Sequence, residues 1–282
     1  MLAFAGNLSL NAKHEQDVQA ASFALKNRRP QEAERIAGAV LKADPEHNQA
    51  LHIYGYALLM QQRAEEAIAA LEPAARRQRD PEIDMQLALA LRQAGREEDA
   101  LSRLKRATKR TVPFAPAFLE LGTLLASMKR YEEAIDALKR GLEIAPTMPD
   151  LSIQLGFVFL ALRDHGNAKI SFARALAVSP EAASALWGIG KAHQSLGDNR
   201  AAVSYFRRCL IHTPNDAGTL LNLGHSLLEV GDLNEGYECF RAAARGDQMR
   251  YSSALTTLVK SGRGRFWLKP SDAVKFLLGK NS

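Results

Sequence analysis

The sequence predicts an all-α protein built from repeated pairs of antiparallel helices. The first observation is a period, because residues 183–216 are preceded and followed, at a spacing of 34 residues, by segments with the same pattern. The second is that apolar residues within each period recur at helical spacing in two stretches separated by a turn. A period of this length is typical of helical repeat proteins, in which neighbouring units stack and share one continuous core.

Small residues and turn formers predict how one unit folds. We count position 1 as the first residue of a unit, so that residue 183 is position 1 of the sixth unit. Position 8 is Gly or Ala, as at Gly190, and it faces an Ala at position 20, such as Ala202, so that the two helices approach closely. Position 15 is the predicted inter-helix turn, where a left-handed residue ends the first helix at Gly95, Gly197 and Gly231.

The recurring pattern resembles a known repeat family. In residues 183–216 it is carried by Leu186, Ile189, Gly190, Gly197, Ala202, Phe206, Cys209 and Pro214. Leu-Gly, Ala, Phe, Ala and Pro at these spacings resemble the tetratricopeptide repeat (TPR) family. The resemblance implies an α-solenoid, a right-handed superhelix of about seven helix-turn-helix units whose concave face is built from the first helices.

We predict seven units, followed by capping helices. The units occupy residues 14–47, 48–80, 81–114, 115–148, 149–182, 183–216 and 217–250. Residues 1–13 are expected to be a loose leader, since they lack the basic start of a secretory signal. Residues 251–282 are expected to be a basic segment that caps the exposed face of the last unit.

Composition excludes several classes of protein. Apolar residues make up 46% of the chain and charged residues 24%, and we find no long uncharged apolar run, so we expect a cytoplasmic protein without a membrane span. Cys209 and Cys239 are expected to be inert core thiols, because no disulfide framework surrounds them. We find no catalytic motif, and His193 and His225 lack further ligands, so we expect no enzyme, no cofactor and no metal.

The predicted binding site is the concave groove. In TPR proteins, positions 5, 9 and 12 of the first helix point into this groove, and the resemblance assigns the same role to the matching residues here. The predicted groove residues are Tyr56, Met85, Leu89, Leu119, Thr123, Ile153, Phe157, Trp187, Lys191 and His225. Exposed apolar surface usually marks an interaction site, and aromatic side chains are frequent anchors.

Alternatives to an apolar groove follow from the same positions. The large side chains could instead pack against neighbouring units as core, and Trp187 is ambiguous because it stands one residue after the usual Trp position of the family. A clamp for the C-terminal carboxylate of a chaperone tail is not expected, since no unit has Lys at position 5 with Asn at position 9. The amides at position 6, which include Gln19, Gln86 and Asn222, could bond a peptide backbone, although solvated amides are the default.

The C-terminal tail carries most of the net charge. Of the formal charge of +6, the last 32 residues contribute +5, with six basic residues and one acidic residue. Arg263, Arg265 and Lys269 alternate with Phe266 and Trp267, a combination that could contact an anionic partner. A cap on the last unit is the favoured interpretation, and the repeats themselves give little support to nucleic-acid or membrane binding.

We therefore expect a non-catalytic adaptor that binds a partner peptide or protein in its groove, with no small-molecule substrate. Two alternatives stay open. One is a regulatory or substrate-binding arm for an enzyme on a separate chain, of the glycosyltransferase or sulfotransferase type. The other is binding of nucleic acid or an anionic surface through the tail, which predicts a steep dependence on salt.

Overall fold

All regular secondary structure in the described part of the chain is α-helical. The computed structural model describes residues 2–245, 248–260 and 270–277. The helices are α1 (Leu2–Lys26), α2 (Pro30–Ala43), α3 (Asn48–Met60), α4 (Ala64–Arg77), α5 (Pro81–Gln93), α6 (Glu97–Ala107), α7 (Ala115–Ser127), α8 (Tyr131–Ile144), α9 (Pro149–Ala161), α10 (His165–Val178), α11 (Ala183–Ser195), α12 (Asn199–His212), α13 (Ala217–Val230), α14 (Leu233–Ala244), α15 (Gln248–Lys260) and α16 (Pro270–Leu277). The predicted all-α fold class is confirmed.

The chain forms two compact units, Met1–Ile144 and Ala145–Ser282. The N-terminal unit contains α1 to α8 and the C-terminal unit contains α9 to α16. In both units an odd-numbered first helix packs against the even-numbered second helix that follows it, and that helix packs against the next first helix. Each unit is thus a stack of antiparallel helix pairs.

First helices also contact one another within each unit. The contacting helices are α1, α3, α5 and α7 in the N-terminal unit and α9, α11, α13 and α15 in the C-terminal unit. Between described residues of the same unit, the second helices of successive repeat pairs up to α14 make no such contact, whereas α14 contacts α16. The first helices therefore lie side by side on one face of each unit.

In the seven pairs from α1–α2 to α13–α14, the turn between the two helices uses a left-handed residue. Gly95, Gly197 and Gly231 have φ of +77°, +82° and +94°, so the predicted glycine turns are confirmed. The other four pairs adopt the same conformation without glycine, at Arg28, Gln62, Lys129 and Arg163, with φ between 56° and 62°. A side chain in this region costs about 1–2 kcal/mol, and the packed helices on either side keep the turn in place.

The small residue at position 8 admits the side chain at position 24. A Cβ added to Gly122 would lie 2.5 Å from Leu138 Cγ, and one on Gly190 would lie 2.8 Å from Phe206 Cε1. The residue predicted to face position 8, at position 20, contributes its backbone: Ala67 O lies 3.4 Å from a Cβ on Gly55 and Gly236 O lies 3.1 Å from one on Gly224. At Gly122 and Gly190 the nearest atoms belong to the side chain at position 24. The reason is size: a Leu or Phe reaches across the pair, whereas the Ala methyl does not.

The N-terminal leader is helical. Where we expected a loose segment over residues 1–13, α1 runs without a break from Leu2 to Lys26. This stretch contains no proline, and a single Gly6 costs a helix only about 1 kcal/mol, so no local signal stops the helix from extending upstream.

The last two helices cover the end of the C-terminal unit. Ala254 and Leu258 of α15 and Ala273 and Leu277 of α16 are buried in one cluster with Phe240 of the last repeat. Arg241 places its guanidinium 4.2 Å from the centre of the Phe276 ring. This packing is that of a cap. Arg263, Arg265, Lys269, Phe266 and Trp267 lie outside the described residues.

Cys209 and Cys239 are free and buried, as expected of core thiols. Burial raises the pKa of the Cys239 thiol to about 11. Among the helices that the structure describes, none combines the length and apolar character needed to cross a bilayer.

Candidate partner-binding site

The ten predicted groove residues all lie on first helices, in two groups. Tyr56, Met85, Leu89, Leu119 and Thr123 belong to α3, α5 and α7 of the N-terminal unit. The other five belong to α9, α11 and α13 of the C-terminal unit, and they are Ile153, Phe157, Trp187, Lys191 and His225. Nine of the ten side chains are partly buried, whereas Ile153 is 8% exposed and packs in a core cluster.

Two aromatic rings on neighbouring first helices lie together in the C-terminal unit. Phe157 of α9 and Trp187 of α11 have ring centroids 6.1 Å apart at an angle of 37°. Phe157 also meets the fully buried Phe172 ring edge to face, at 5.2 Å and 76°. Because a buried ring supports them while their own surfaces stay partly accessible, the two rings form a pre-organised apolar contact area.

A lysine lies one helical turn from this aromatic pair. Lys191 follows Trp187 by four residues on α11, so both side chains share a face of the helix. Its Nζ donates hydrogen bonds to Gln194 Oε1 at 2.8 Å and to Asn222 Oδ1 at 3.1 Å. We call Phe157, Trp187 and Lys191 the aromatic–lysine face.

The ammonium of Lys191 is held in place but not neutralised. Gln194 in turn donates through Nε2 to the Asn222 backbone carbonyl and to Ser226 Oγ, both at 2.9 Å, which connects α11 to α13. Burial lowers the pKa of Lys191, and no described acidic side chain forms an ion pair with it. A partly desolvated cation with only neutral acceptors is suited to bind an anionic group.

The N-terminal unit has a cavity between α1, α3 and α5. Its volume is about 750 Å³, within the range of ligand-binding clefts. Of the predicted groove residues in this unit, Tyr56 lines the cavity. Met85, Leu89, Leu119 and Thr123 are not part of its wall, and Thr123 donates its hydroxyl to the Leu119 carbonyl at 2.8 Å.

His225 lies on α13, next to the helix that carries Lys191. Its Nδ1 is buried and has no hydrogen-bond partner among the described residues. No group of three or more His, Cys, Asp or Glu side chains suited to a metal ion occurs in the described part of the chain.

The model of the tetratricopeptide repeat matches residues 18–82, 85–149 and 154–217, which is more than half of the chain. The chain belongs to the tetratricopeptide repeat family. The predicted resemblance is therefore confirmed. No curated protein matches this sequence.

Several solved structures are similar to this TPR chain. PilF from Pseudomonas aeruginosa has a TM-score of 0.65 at 16% identity, covering 76% of this chain and 96% of that one. PilW, a type IV pilus biogenesis factor, has a TM-score of 0.66 at 19% identity, covering 76% and 98%. A tetratricopeptide repeat protein from Parabacteroides merdae has a TM-score of 0.61 at 14% identity, covering 94% and 98%. At these identities the similarity concerns the fold.

The third TPR unit contains a buried ion pair that was not predicted from the sequence. Asp84 is fully buried at position 4, where most other units place an apolar residue. Its Oδ2 accepts from Arg110 at 2.6 Å and lies 3.3 Å from Arg106. The available signal was an acidic residue at a position that is usually apolar, followed by two arginines about one turn apart. One arginine lies on the paired helix and the other just beyond its end. The arrangement ties the first helix to the end of the second and is structural.

The polar residues beside Lys191 were only partly anticipated. The amide at position 6, Asn222, was identified in the sequence as a potential hydrogen-bonding group. Gln194 and Ser226 gave no such signal, because their role depends on α11 and α13 lying side by side.

Proposed function

We propose that this TPR chain is a non-catalytic interaction scaffold that binds a segment of a partner protein on its aromatic–lysine face. The partner segment places an apolar side chain against Phe157 and Trp187 and an acidic side chain on Lys191. The observation that carries the proposal is the lysine itself: its ammonium is partly buried beside apolar rings and has only neutral hydrogen-bond acceptors.

The energetics favour binding rather than stability as the role of this face. Burying an ammonium without a counter-charge opposes folding, whereas an arriving carboxylate gains a charge-assisted hydrogen bond in a partly dry site. The rings contribute apolar area in a fixed geometry, so a partner side chain has little ordering cost to offset. The chain belongs to a repeat family, and we find no catalytic motif in its sequence. Both observations support a scaffold rather than an enzyme.

The test is affinity capture from a native lysate of the source cells, comparing wild type with Phe157→Ala/Trp187→Ala. Because buried aromatic anchors contribute about 2 kcal/mol or more, we expect about a thirtyfold loss of the bound partner. The matched control is Ile170→Ala/Ile211→Ala, which removes apolar side chains that are 65% and 73% exposed on second helices of the same unit. This control should retain the partner.

A second variant separates lost binding from lost folding. Lys191→Met keeps most of the side-chain volume and removes the charge, and circular dichroism should show that it stays folded. We expect it to lose the partner as well. Recovery of the same proteins with wild type, the aromatic variant and Lys191→Met would contradict the proposal and direct attention to the second helices.

A further inference from the structure

The exposed side of α10 is mostly apolar. Its buried side, with Ala168, Phe172 and Ala175, packs in the stack between α9 and α11. On the opposite side, residues at intervals of three and four form one exposed stripe along the helix. They are Ile170, Ala173, Arg174, Ala177 and Val178. Ile170 and Val178 are 65% and 45% exposed, so two large aliphatic side chains contact solvent about two helical turns apart.

The second helix of the preceding repeat differs at the same repeat positions. On α8 these positions hold Asp136, Lys139, Arg140, Glu143 and Ile144, and all five residues are exposed. Four of the five are charged, whereas α10 has a single charged residue in its stripe. Since charged residues at these positions keep the outside of a helix solvated, the apolar stripe of α10 indicates a further contact.

The exposed side of α12 continues this surface. It is formed by Arg200, Ser204, Arg207, Arg208 and Ile211. Arg208 donates a hydrogen bond to the backbone carbonyl of Pro180 at 2.9 Å, and His212 Nε2 lies 2.6 Å from Glu181 Oε2. Because Pro180 and Glu181 directly follow the end of α10, the exposed sides of α10 and α12 are neighbours. Ile211 is 73% exposed and adds a third large aliphatic side chain. We call these two sides together the outer face of α10 and α12.

Positive charge dominates the outer face. Neither α10 nor α12 contains Asp or Glu. The two helices carry Lys169, Arg174, Arg200, Arg207 and Arg208. Arg174 and Arg200 are exposed, and neither forms an ion pair with a described side chain. Arg174 follows Ile170 by four residues and precedes Val178 by four, so this guanidinium lies between the two aliphatic side chains along the stripe.

The acidic residues near the outer face already have partners. Asp164 and Asp198 accept hydrogen bonds from backbone N–H groups at the starts of α10 and α12. Glu235 of α14 forms an ion pair with Arg207. The charge that would neutralise Arg174 must therefore come from another molecule.

A second copy of the chain does not supply that charge. A symmetric contact between two copies pairs a surface with itself. Here it would bring the arginines of both copies together without an acidic residue on either helix, and like charges repel one another. The molecule that covers the outer face carries negative charge next to apolar groups.

We propose that the outer face of α10 and α12 binds the surface of an anionic lipid membrane. Ile170, Val178 and Ile211 enter the boundary between headgroups and acyl chains, while Arg174 and Arg200 bind lipid phosphates. A helix at a membrane surface buries its apolar side about 5–10 Å into this boundary, where phosphates and acyl chains are both within reach. The aliphatic stem of Arg174 then lies among apolar groups and its guanidinium reaches a phosphate.

The shape of the outer face favours a bilayer over a protein. Ile170 and Ile211 protrude from the surface, as their exposed fractions show. A protein interface depends on close shape complementarity, so protruding side chains require matching pockets in the partner. A fluid lipid layer accepts them without such pockets.

This inference goes beyond the proposed function and does not depend on it. The outer face belongs to second helices, whereas the aromatic–lysine face lies on first helices. The nearly neutral total charge of the repeats gave no sign of it, because acidic residues of other helices offset these arginines in the sum. A chain bound to a membrane in this way leaves Phe157 and Trp187 to a partner protein.

The experiment is vesicle flotation with the full chain. Vesicles of phosphatidylcholine with about 30% phosphatidylglycerol are compared with vesicles of phosphatidylcholine alone, at low and at physiological salt. We expect wild type to bind the anionic vesicles at least about tenfold more tightly than the neutral ones. Binding to the anionic vesicles should weaken as salt rises, because salt screens the attraction between exposed charges.

Two variants test the assigned contacts. Arg174→Gln/Arg200→Gln should weaken binding to the anionic vesicles about thirtyfold, since each basic residue near an anionic surface contributes about fivefold. Ile170→Ala/Ile211→Ala removes methyl and methylene groups that enter the boundary, and it should weaken binding about tenfold. Circular dichroism checks that both variants are folded.

Matched controls separate these contacts from general effects. Arg35→Gln/Lys139→Gln removes two exposed cations from second helices of the N-terminal unit, where neither forms an ion pair with a described side chain. This control should bind within about twofold of wild type. Phe157→Ala/Trp187→Ala should bind vesicles like wild type, so the membrane contact and the proposed function succeed or fail separately.

Three results would overturn the inference. The first is equal binding to both kinds of vesicle, or binding to neither, which would leave the outer face to a protein. The second is wild-type affinity of either outer-face variant, which would assign the vesicle binding to other cations, such as those of residues 251–282. The third is an equal loss for Arg35→Gln/Lys139→Gln and Arg174→Gln/Arg200→Gln, which would show that net charge alone attracts the chain.

Discussion

Replacing Gly188 with Ala tests the packing that supports the aromatic–lysine face. A Cβ on Gly188 would lie 2.6 Å from Phe172 Cε2 and closer still to Cζ and Cε1 of the same ring. A Cβ on Gly156 would lie 2.7 Å from Cε1 and Cζ, so the ring tip is enclosed by the backbones of α9 and α11. Since Phe172 is fully buried, it cannot turn away into solvent.

The expected cost follows from two opposing effects. Gly to Ala in a helix interior stabilises by about 1 kcal/mol, whereas overpacking a well-filled core costs about 1–3 kcal/mol. Three atoms of the Phe172 ring would have to move, and the ring is fully buried, so we take the cost of overpacking as about 3 kcal/mol. We therefore expect a net destabilisation of about 2 kcal/mol, and because Phe172 supports Phe157, we also expect weaker partner binding.

The assay is urea unfolding followed by far-UV circular dichroism. Repeat arrays need not unfold in a single step, so the first transition is compared between variants. The matched control is Gly166→Ala in the first turn of α10, where the nearest atom, Asp164 Oδ1, is 3.7 Å from the added Cβ. This control should be as stable as wild type or slightly more stable.

A double-mutant cycle with Phe172→Leu identifies the clash. The smaller side chain makes room for the new methyl, so the two changes together should cost at least about 1 kcal/mol less than their sum. Additive costs, or a Gly188→Ala variant as stable as Gly166→Ala, would refute the packing argument.

Four further outcomes can be measured on the purified chain. Lys191→Met should unfold at higher urea than wild type near neutral pH, because burial lowers the pKa of Lys191 in the folded chain and its charge therefore opposes folding. The difference should be constant below the folded pKa, shrink as pH rises from the folded to the unfolded pKa, and vanish above the unfolded pKa. Lys129→Gly should stabilise by about 0.5 kcal/mol in thermal melts, because φ at this turn is 61° and the relief of strain exceeds the extra chain entropy of glycine. Asp84→Asn should lower the melting temperature, because it leaves Arg110 without its buried counter-charge and so lowers the free energy of unfolding by about 3 kcal/mol. A decrease in the free energy of unfolding below about 1 kcal/mol would contradict this prediction. Cys239 should resist thiol reagents in the folded chain and react rapidly in denaturant, because burial raises its pKa to about 11.

Most of the fold could be predicted because its determinants are local and periodic. Small residues at position 8, such as Gly122 and Gly190, and the left-handed turns at Gly95 and Gly197 are visible in the chain, and they identify the helix pairs. The turn at Lys129 was not visible, because lysine has no preference for the left-handed region and adopts it only under the constraint of the helices on either side.

The candidate sites were predictable only as positions on helices. Phe157 and Trp187 could be assigned to the first-helix face, but their contact with each other depends on α9 and α11 packing side by side. Ile153 shows the limit of the pattern: it shares position 5 with Trp187, yet it is buried in the core, because burial at that position depends on which side chains the neighbouring helix presents.

The sequence by itself determined the repeat, the helix pairs and the family, since each follows from the spacing of residues within 34 positions of one another. Tertiary structure alone decided the chemistry of the surfaces. Whether Lys191 meets a carboxylate or only amides depends on residues about 30 positions away or more on neighbouring helices. Charge and hydrogen bonding act through space at distances of a few ångström, and only the packed helices set those distances.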